Sequence, residues 1–306
     1  MRSEREIIDR VLQIAARDDG VRAVVRTELL PVRDYLHAYS FVFVVRNVDD
    51  YDRDIFENSL GERILLFRAD RNYPGMFPDT KAHLMVFSDG ITITVNAMSR
   101  DVFLARYGGS REREDVWIGE TYQKLLDKDG MLPIADRLVE SRTLFAELPS
   151  EAAFLGACDE FWWVMKTLAE YTLREELPAA MYYLNVSVRG LLNTMLRWHL
   201  CLQSGGPVDM GILDSNLEKL LEEELFQMYR ATYPDADYGH IWEAFDAAAG
   251  LWRRVAGMVA ERRGFQYPAA VEENMLEFIR NLKHSPAFPI GERVDARKSN
   301  PSNPRR

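Results

Sequence analysis

Apolar residues in this chain change their period once, at about Ser150, and that change constrains the fold more than any other feature. Beyond it the spacing is helical as far as about Lys283. Phe154, Cys158, Phe161, Met165 and Leu168 form one stripe. Leu184, Val188, Leu191, Met195 and Trp198 form a second, and Leu217, Leu221, Leu225 and Met228 a third. Ile241, Phe245, Ala248, Trp252, Val255 and Val259 form a fourth, closed by Gly264. Val271, Met275, Phe278 and Leu282 form a fifth. "QSGGPVD" and "YPDADYG" are breaks between them. Such a half packs as an all-helical bundle.

Before Ser150 the pattern is mixed. Residues 3–17 place Ile7, Ile8, Val11, Leu12 and Ala15 on one helical face, and Ser3 with Glu6 makes a capping box. Strand patterns follow at 22–26, 40–46, 63–68, 84–88 and 91–98, the last two joined through Asp89-Gly90, a hairpin turn pair. Phe41-Val42-Phe43-Val44-Val45 is an unbroken aromatic and β-branched run, the mark of a buried strand. "RADRNYPGMFPDTKA" reads as a loop. The fold class expected is α+β, a mixed sheet with flanking helices over 1–149 followed by a helical bundle over 150–284. Residues 285–306, rich in Pro, Ser and Arg, are expected to be a disordered tail. With 306 residues, 47% of them apolar, the chain can fill two cores.

Charge narrows the partners. A net charge of −10 repels phosphate backbones, so nucleic acid is not an expected partner, while a cationic small molecule is favoured. No apolar run reaches the ~18 residues of a membrane span. The charged start "MRSEREIIDRVL" does not read as a signal peptide, so a cytoplasmic protein is expected. Cys158 and Cys201 lie on apolar helices and read as buried thiols, and the five histidines show no metal-ligand spacing.

Several long stretches occur in order along residues 1–283: "MRSEREIIDRVLQIAARDDGVRAV", "KLLDKDG" at 124–130, "CDEFWWV" at 158–164, "LREELPAAMYYLN" at 173–185 and "IWEAFDAAAGLWRRVAGMVAERRGFQYP" at 241–268. Together they resemble the aminoglycoside 6-adenylyltransferase (streptomycin adenylyltransferase) family. The resemblance implies a nucleotidyltransferase-like first domain and a helical half that binds aminoglycoside. It also implies transfer of AMP from ATP to a streptomycin hydroxyl with magnesium. That chemistry needs a Gly-Ser turn for the phosphates, an Asp-x-Asp pair and a third acid, because magnesium is a hard cation that takes carboxylate oxygens.

The positions matching those acids are Ala38, Ser40 and Thr94. Alanine offers no ligand atom and the two hydroxyls are neutral. "VVRTELLPVRD", where the phosphate turn should lie, has no glycine. The expectation is therefore a catalytically degenerate member, with no magnesium or ATP required, acting by binding a small molecule or a protein. The alternative is an active aminoglycoside nucleotidyltransferase with a relocated metal site, for which "NVDDYDRD" offers Asp49, Asp50, Asp52 and Asp54. "DKDG" at 127–130 reads as a structural turn, His37 as a residue near the altered site, and His199 as a core histidine.

In the helical half, Asp159, Glu160 and Trp162 are the candidate contacts for a cationic drug such as an aminoglycoside, through charge and cation–π attraction. Asp159 and Trp162 lie three apart and are expected to share a face, with Glu160 turned away. Glu175 and Glu176 have a similar, weaker standing. In each case the bland reading is a solvated acid and a core aromatic.

Overall fold

A computed structural model describes residues 2–28, 38–52, 55–56, 59–69, 79–107, 121–132, 144–145 and 148–284. The chain divides into two compact units, one of Met1–Leu144 with Gly211–Ser215, the other of Phe145–Met210 with Asn216–Arg306. His37, Asp54, most of the glycine-free stretch, Gly108-Gly109-Ser110 and the 285–306 tail lie outside the described residues.

The first unit opens with α1 (Glu4–Arg17), capped by Ser3 and Glu6 in the reciprocal box its sequence announces, and burying Ile7, Val11 and Ala15. The strands are β1 (Val21–Glu28), β2 (Ala38–Val45), β3 (Arg63–Ala69), β4 (Thr80–Phe87), β5 (Thr92–Met98) and β6 (Thr121–Asp127). They form one mixed sheet in the order β3-β4-β5-β2-β1-β6. Only the β2–β5 pair is parallel; the other four adjacent pairs run antiparallel. β2 is buried on both faces. Phe41, Phe43 and Val45 join α1 in one core, while Val42 and Val44 join Met98 and Phe103 of α2 (Arg100–Tyr107) in another. This explains why its apolar run does not alternate.

Two details differ from the sequence expectation. The β4–β5 connection is the four residues 88–91, with Phe87 N–H bonded to Ile91 O and Gly90 at φ 83°, rather than a two-residue turn. β6 is a strand that the charged "KLLDKDG" concealed. Its residues hold the unit together. Lys128 Nζ donates to the carbonyls of Ala15 and Asp18 at 2.8 and 2.9 Å, closing the C-terminal end of α1. The Asp127 carboxylate accepts from the Met131 and Leu132 N–H groups at 3.0 Å, and Asp129 pairs with Arg22. The structural reading of this turn is the one the geometry carries.

The second unit consists of α3 (Glu151–Leu173), α4 (Leu177–Tyr182), a π-helical turn (Tyr183–Val188), α5 (Arg189–Ser204), α6 (Leu217–Leu220), α7 (Glu223–Arg230), α8 (Tyr238–Arg263) and α9 (Ala269–Lys283). The first and fourth stripes lie in the core as expected. The third stripe does not form one helix: Leu221 is extended (φ −79°, ψ 145°) and separates α6 from α7. In the second, Leu184, Val188 and Met195 are buried as expected, Leu191 and Trp198 pack half-buried against the core, and Leu192 is buried beside them. In the fifth, Val271 and Phe278 are exposed while Glu272 and Ile279 are buried. Arg253 and the Tyr267 hydroxyl hold Glu272 inward and rotate the helix away from its most apolar arc.

His199 is buried on α5 with neither ring nitrogen bonded among the described residues. Burial lowers its pKa, and Arg262 lowers it further. The folded state thus keeps the ring neutral, and the unfolded chain binds the proton first. Stability is complete above the ordinary histidine value of about 6.5 and falls as pH drops below it. Thermal melts between about pH 5 and 7.5 should show this slope for the native chain, and His199→Leu should flatten it.

Candidate functional site

The residues expected at the site do come together. In the parallel pairing of β2 with β5, Ser40 stands opposite Thr94 and Ala38 opposite Thr92. Across β1, Thr27 stands opposite Ser40, and its Oγ1 donates to Ser40 Oγ at 3.0 Å. Across β4, Leu84 stands opposite Thr94, and Phe67 of β3 opposite Leu84. One cross-strand row therefore reads Phe67, Leu84, Thr94, Ser40, Thr27. It lies on the same sheet face as Val42, Val44 and Met98, beyond the stretch that α2 covers.

This row has two apolar side chains and three hydroxyls, and no carboxylate. Its neighbours Ala38, Thr92 and Val86 add none. Asp127 lies at the other end of β1, opposite Ala23, with its oxygens taken by backbone N–H groups. Among the described residues, no three His, Cys, Asp or Glu side chains converge to hold a metal ion. Neutral hydroxyls, two of them bonded to each other, are poor ligands for a divalent cation that strips water reluctantly. The described residues of this row do not fit a magnesium–triphosphate site.

Asp50 belongs to a different place. With Asp18, Asp19, Arg17, Gly20, Ile14, Ile55 and Ser59 it lines a cleft of about 700 Å³. Asp49 leans to Lys81, with its Oδ1 3.5 Å from Nζ. The cleft lies past the C-terminal end of β2, five residues beyond Ser40, or roughly 16 Å along the strand. These acids cannot replace ligands at Ser40 and Thr94.

In the helical unit, α3 divides the candidates. Trp162 is 1% exposed, edge-on to Phe161, which stacks on Trp252 with ring centroids 4.0 Å apart. Trp162 is therefore part of the core, while Asp159 and Glu160 are exposed. The aromatic that accompanies them is Trp163, at 66% exposure. At about 100° per residue, Trp163 falls between Asp159 and Glu160 on the helix wheel, so a wheel centred on the core stripe finds it. Lys166 Nζ already sits 5.1 Å from its ring centroid and 2.9 Å from Glu170. An exposed indole holding a cation between two carboxylates has the chemistry to take a guanidinium or ammonium. Glu175 and Glu176 occupy the α3–α4 turn, Glu175 with φ 56°. His83 packs against Tyr51 and Phe56, and His240 pairs with Asp235 at 2.8 Å. No described helix is long and apolar enough to cross a membrane.

Comparison with known proteins adds the following. The streptomycin adenylyltransferase family profile matches residues 1–282. An aminoglycoside 6-adenylyltransferase of Campylobacter jejuni is 26% identical over 291 residues, spanning 92% of this chain and 97% of that protein. Its namesake in Bacillus subtilis (strain 168) is 24% identical over 277 residues, spanning 88% and 94%. A crystal structure of an aminoglycoside 6-adenyltransferase from Bacillus subtilis overlays with a TM-score of 0.45 at 22% identity, covering 93% of this chain and 100% of that one.

Proposed function

The chain belongs to the streptomycin adenylyltransferase family, and from that premise we propose that it is a member without adenylyl transfer, a pseudoenzyme whose helical half binds a cationic small molecule of the aminoglycoside kind. The observation that carries this reading is that Ala38, Ser40 and Thr94, which match the positions the family's chemistry fills with magnesium-binding carboxylates, lie side by side on β2 and β5 with no acid among them. Losing charge stabilisation of a transferring phosphoryl group costs several kcal/mol per element, hence orders of magnitude in rate. The cation-binding part rests on Asp159, Glu160 and Trp163 at the surface of α3 and on the net charge of −10.

Transfer of radiolabelled AMP from ATP to a panel of aminoglycosides, with magnesium, tests the first part; no product above the enzyme-free control is expected. Product formation would instead support a working site elsewhere. Calorimetric titration with streptomycin tests the second. Binding should weaken several-fold in Asp159→Asn and Glu160→Gln, and added salt should weaken it less in these variants than in the native chain. Absence of binding would leave a scaffold with neither pocket in use.

A further inference from the structure

Arg189 opens α5 immediately after the π turn and is 6% exposed. A buried guanidinium in a folded protein ordinarily faces a carboxylate. Among the described residues this one faces none. Its Nη1 donates to Asn185 Oδ1 at 2.5 Å and its Nη2 to the Thr232 carbonyl at 2.7 Å, both neutral acceptors. The Tyr233 ring lies over it, centroid 3.5 Å from Cζ. Nε is buried with no partner among the described residues. A guanidinium has five N–H donors in a rigid fork, so two bonds leave the cation both under-bonded and unneutralised.

The surroundings look arranged for an acceptor rather than merely lacking one. Tyr229 and Tyr233 share a hydroxyl–hydroxyl bond of 3.1 Å beside the guanidinium. Burial raises the Tyr229 pKa, which keeps that phenol a proton donor. The acids of the following turn do not compensate the charge. Asp235 is bonded to His240 and to the Asp237 N–H, and Asp237 caps α8. Tyr233, the cover over Arg189, is 56% exposed and lies past the end of α7, where its ring can swing out without disturbing a helix. A wide π turn directly before the arginine is a feature found often at functional sites.

We propose that Arg189, under Tyr233 and beside Tyr229, is a binding site for an oxyanion, a phosphate or carboxylate group offering two oxygens to Nε–H and a free Nη–H. A planar two-oxygen acceptor matches that edge of the fork, and the phenols supply further donors. The site is independent of the cation-binding surface on α3 and of the loss of adenylyl transfer.

The full chain is titrated with inorganic phosphate and separately with acetate, at ionic strength held constant with chloride, following heat and melting temperature. Saturable binding of phosphate, acetate or both, with chloride inert, is the expected result. Which anion binds more tightly distinguishes a phosphate-bearing from a carboxylate-bearing ligand. Arg189→Met should weaken binding at least about tenfold, since hydrogen bonds to a charged group contribute well over a tenfold factor together. Tyr233→Leu, an exposed change that leaves the arginine in place, should alter the dissociation constant measurably and serves if Arg189→Met does not fold. No saturable anion effect on the native chain overturns the proposal. So does an effect that Tyr233→Leu leaves unchanged, or one that survives in folded Arg189→Met.

Discussion

Glu272→Ala should destabilise the helical half by about 2–3 kcal/mol, the scale of losing a hydrogen bond to a charged group, because Arg253 is half-exposed and is left solvated rather than stranded. Glu272 is 3% exposed, and its two oxygens have separate partners. Arg253 reaches Oε1 through its fork, and the Tyr267 hydroxyl donates to Oε2 at 2.6 Å. Alanine takes this acceptor from the part-buried Tyr267 hydroxyl and opens a void where Glu272 meets α8. Tyr267 cannot relieve this by ionising, because burial raises its pKa. Glu272→Gln keeps an acceptor for the phenol and should cost less. An apolar pair, Glu272→Met with Tyr267→Phe, should recover much of the loss, since it removes the buried carboxylate and the phenol that depends on it together. Urea denaturation followed by tryptophan fluorescence measures this in the relevant unit, because five of the six tryptophans lie beyond Ser150.

Restoring the three carboxylates at the sheet should change metal binding without restoring chemistry. In Ala38→Asp, Ser40→Asp, Thr94→Asp, the second and third acids would face each other across the parallel pair, roughly 5 Å apart. At an effective dielectric of about 20 their repulsion is about 3 kcal/mol, and the Thr27–Ser40 bond is lost as well. The variant should therefore melt well below the native chain in metal-free buffer. Magnesium should raise its melting temperature and leave the native chain unchanged; at a hundred times the dissociation constant the gain is about 2.7 kcal/mol. AMP transfer should stay absent, because the stretch "VVRTELLPVRD" has no glycine, the residue type that close backbone approach to phosphates favours. A native chain stabilised by magnesium to the same degree would contradict the reading of this site.

The parts of the fold legible in the sequence are those where local pattern and packing agree. The Ser3–Glu6 box, the buried β2 run and the α3 and α8 stripes all involve residues whose neighbours in sequence decide their environment. What escaped involves partners far along the chain. β6 hides behind charges because Lys128 is consumed by the end of α1 and Asp129 by Arg22, more than a hundred residues away. Glu272 turns inward for Arg253 and Tyr267, against the apolar arc of its own helix. The candidate site is legible as residue types, but its row needs the register: Thr27 and Leu84 are members only because β1 and β4 pair around Ser40 and Thr94. On α3 the two tryptophans are adjacent, and the wheel position of the core buries Trp162 and assigns the surface to Trp163.

The π turn at 183–188 acts as a phase setter. An α-helix advances about 100° per residue, so a turn one residue wider lets the segment before it and the segment after it face the core at angles that a regular helix could not combine. Tyr183 stacks on Tyr171 at 5.3 Å on one side of that turn, and Arg189 lies under Tyr233 on the other. Deleting a single residue there would heal the helix and force a choice between the two aromatic pairings.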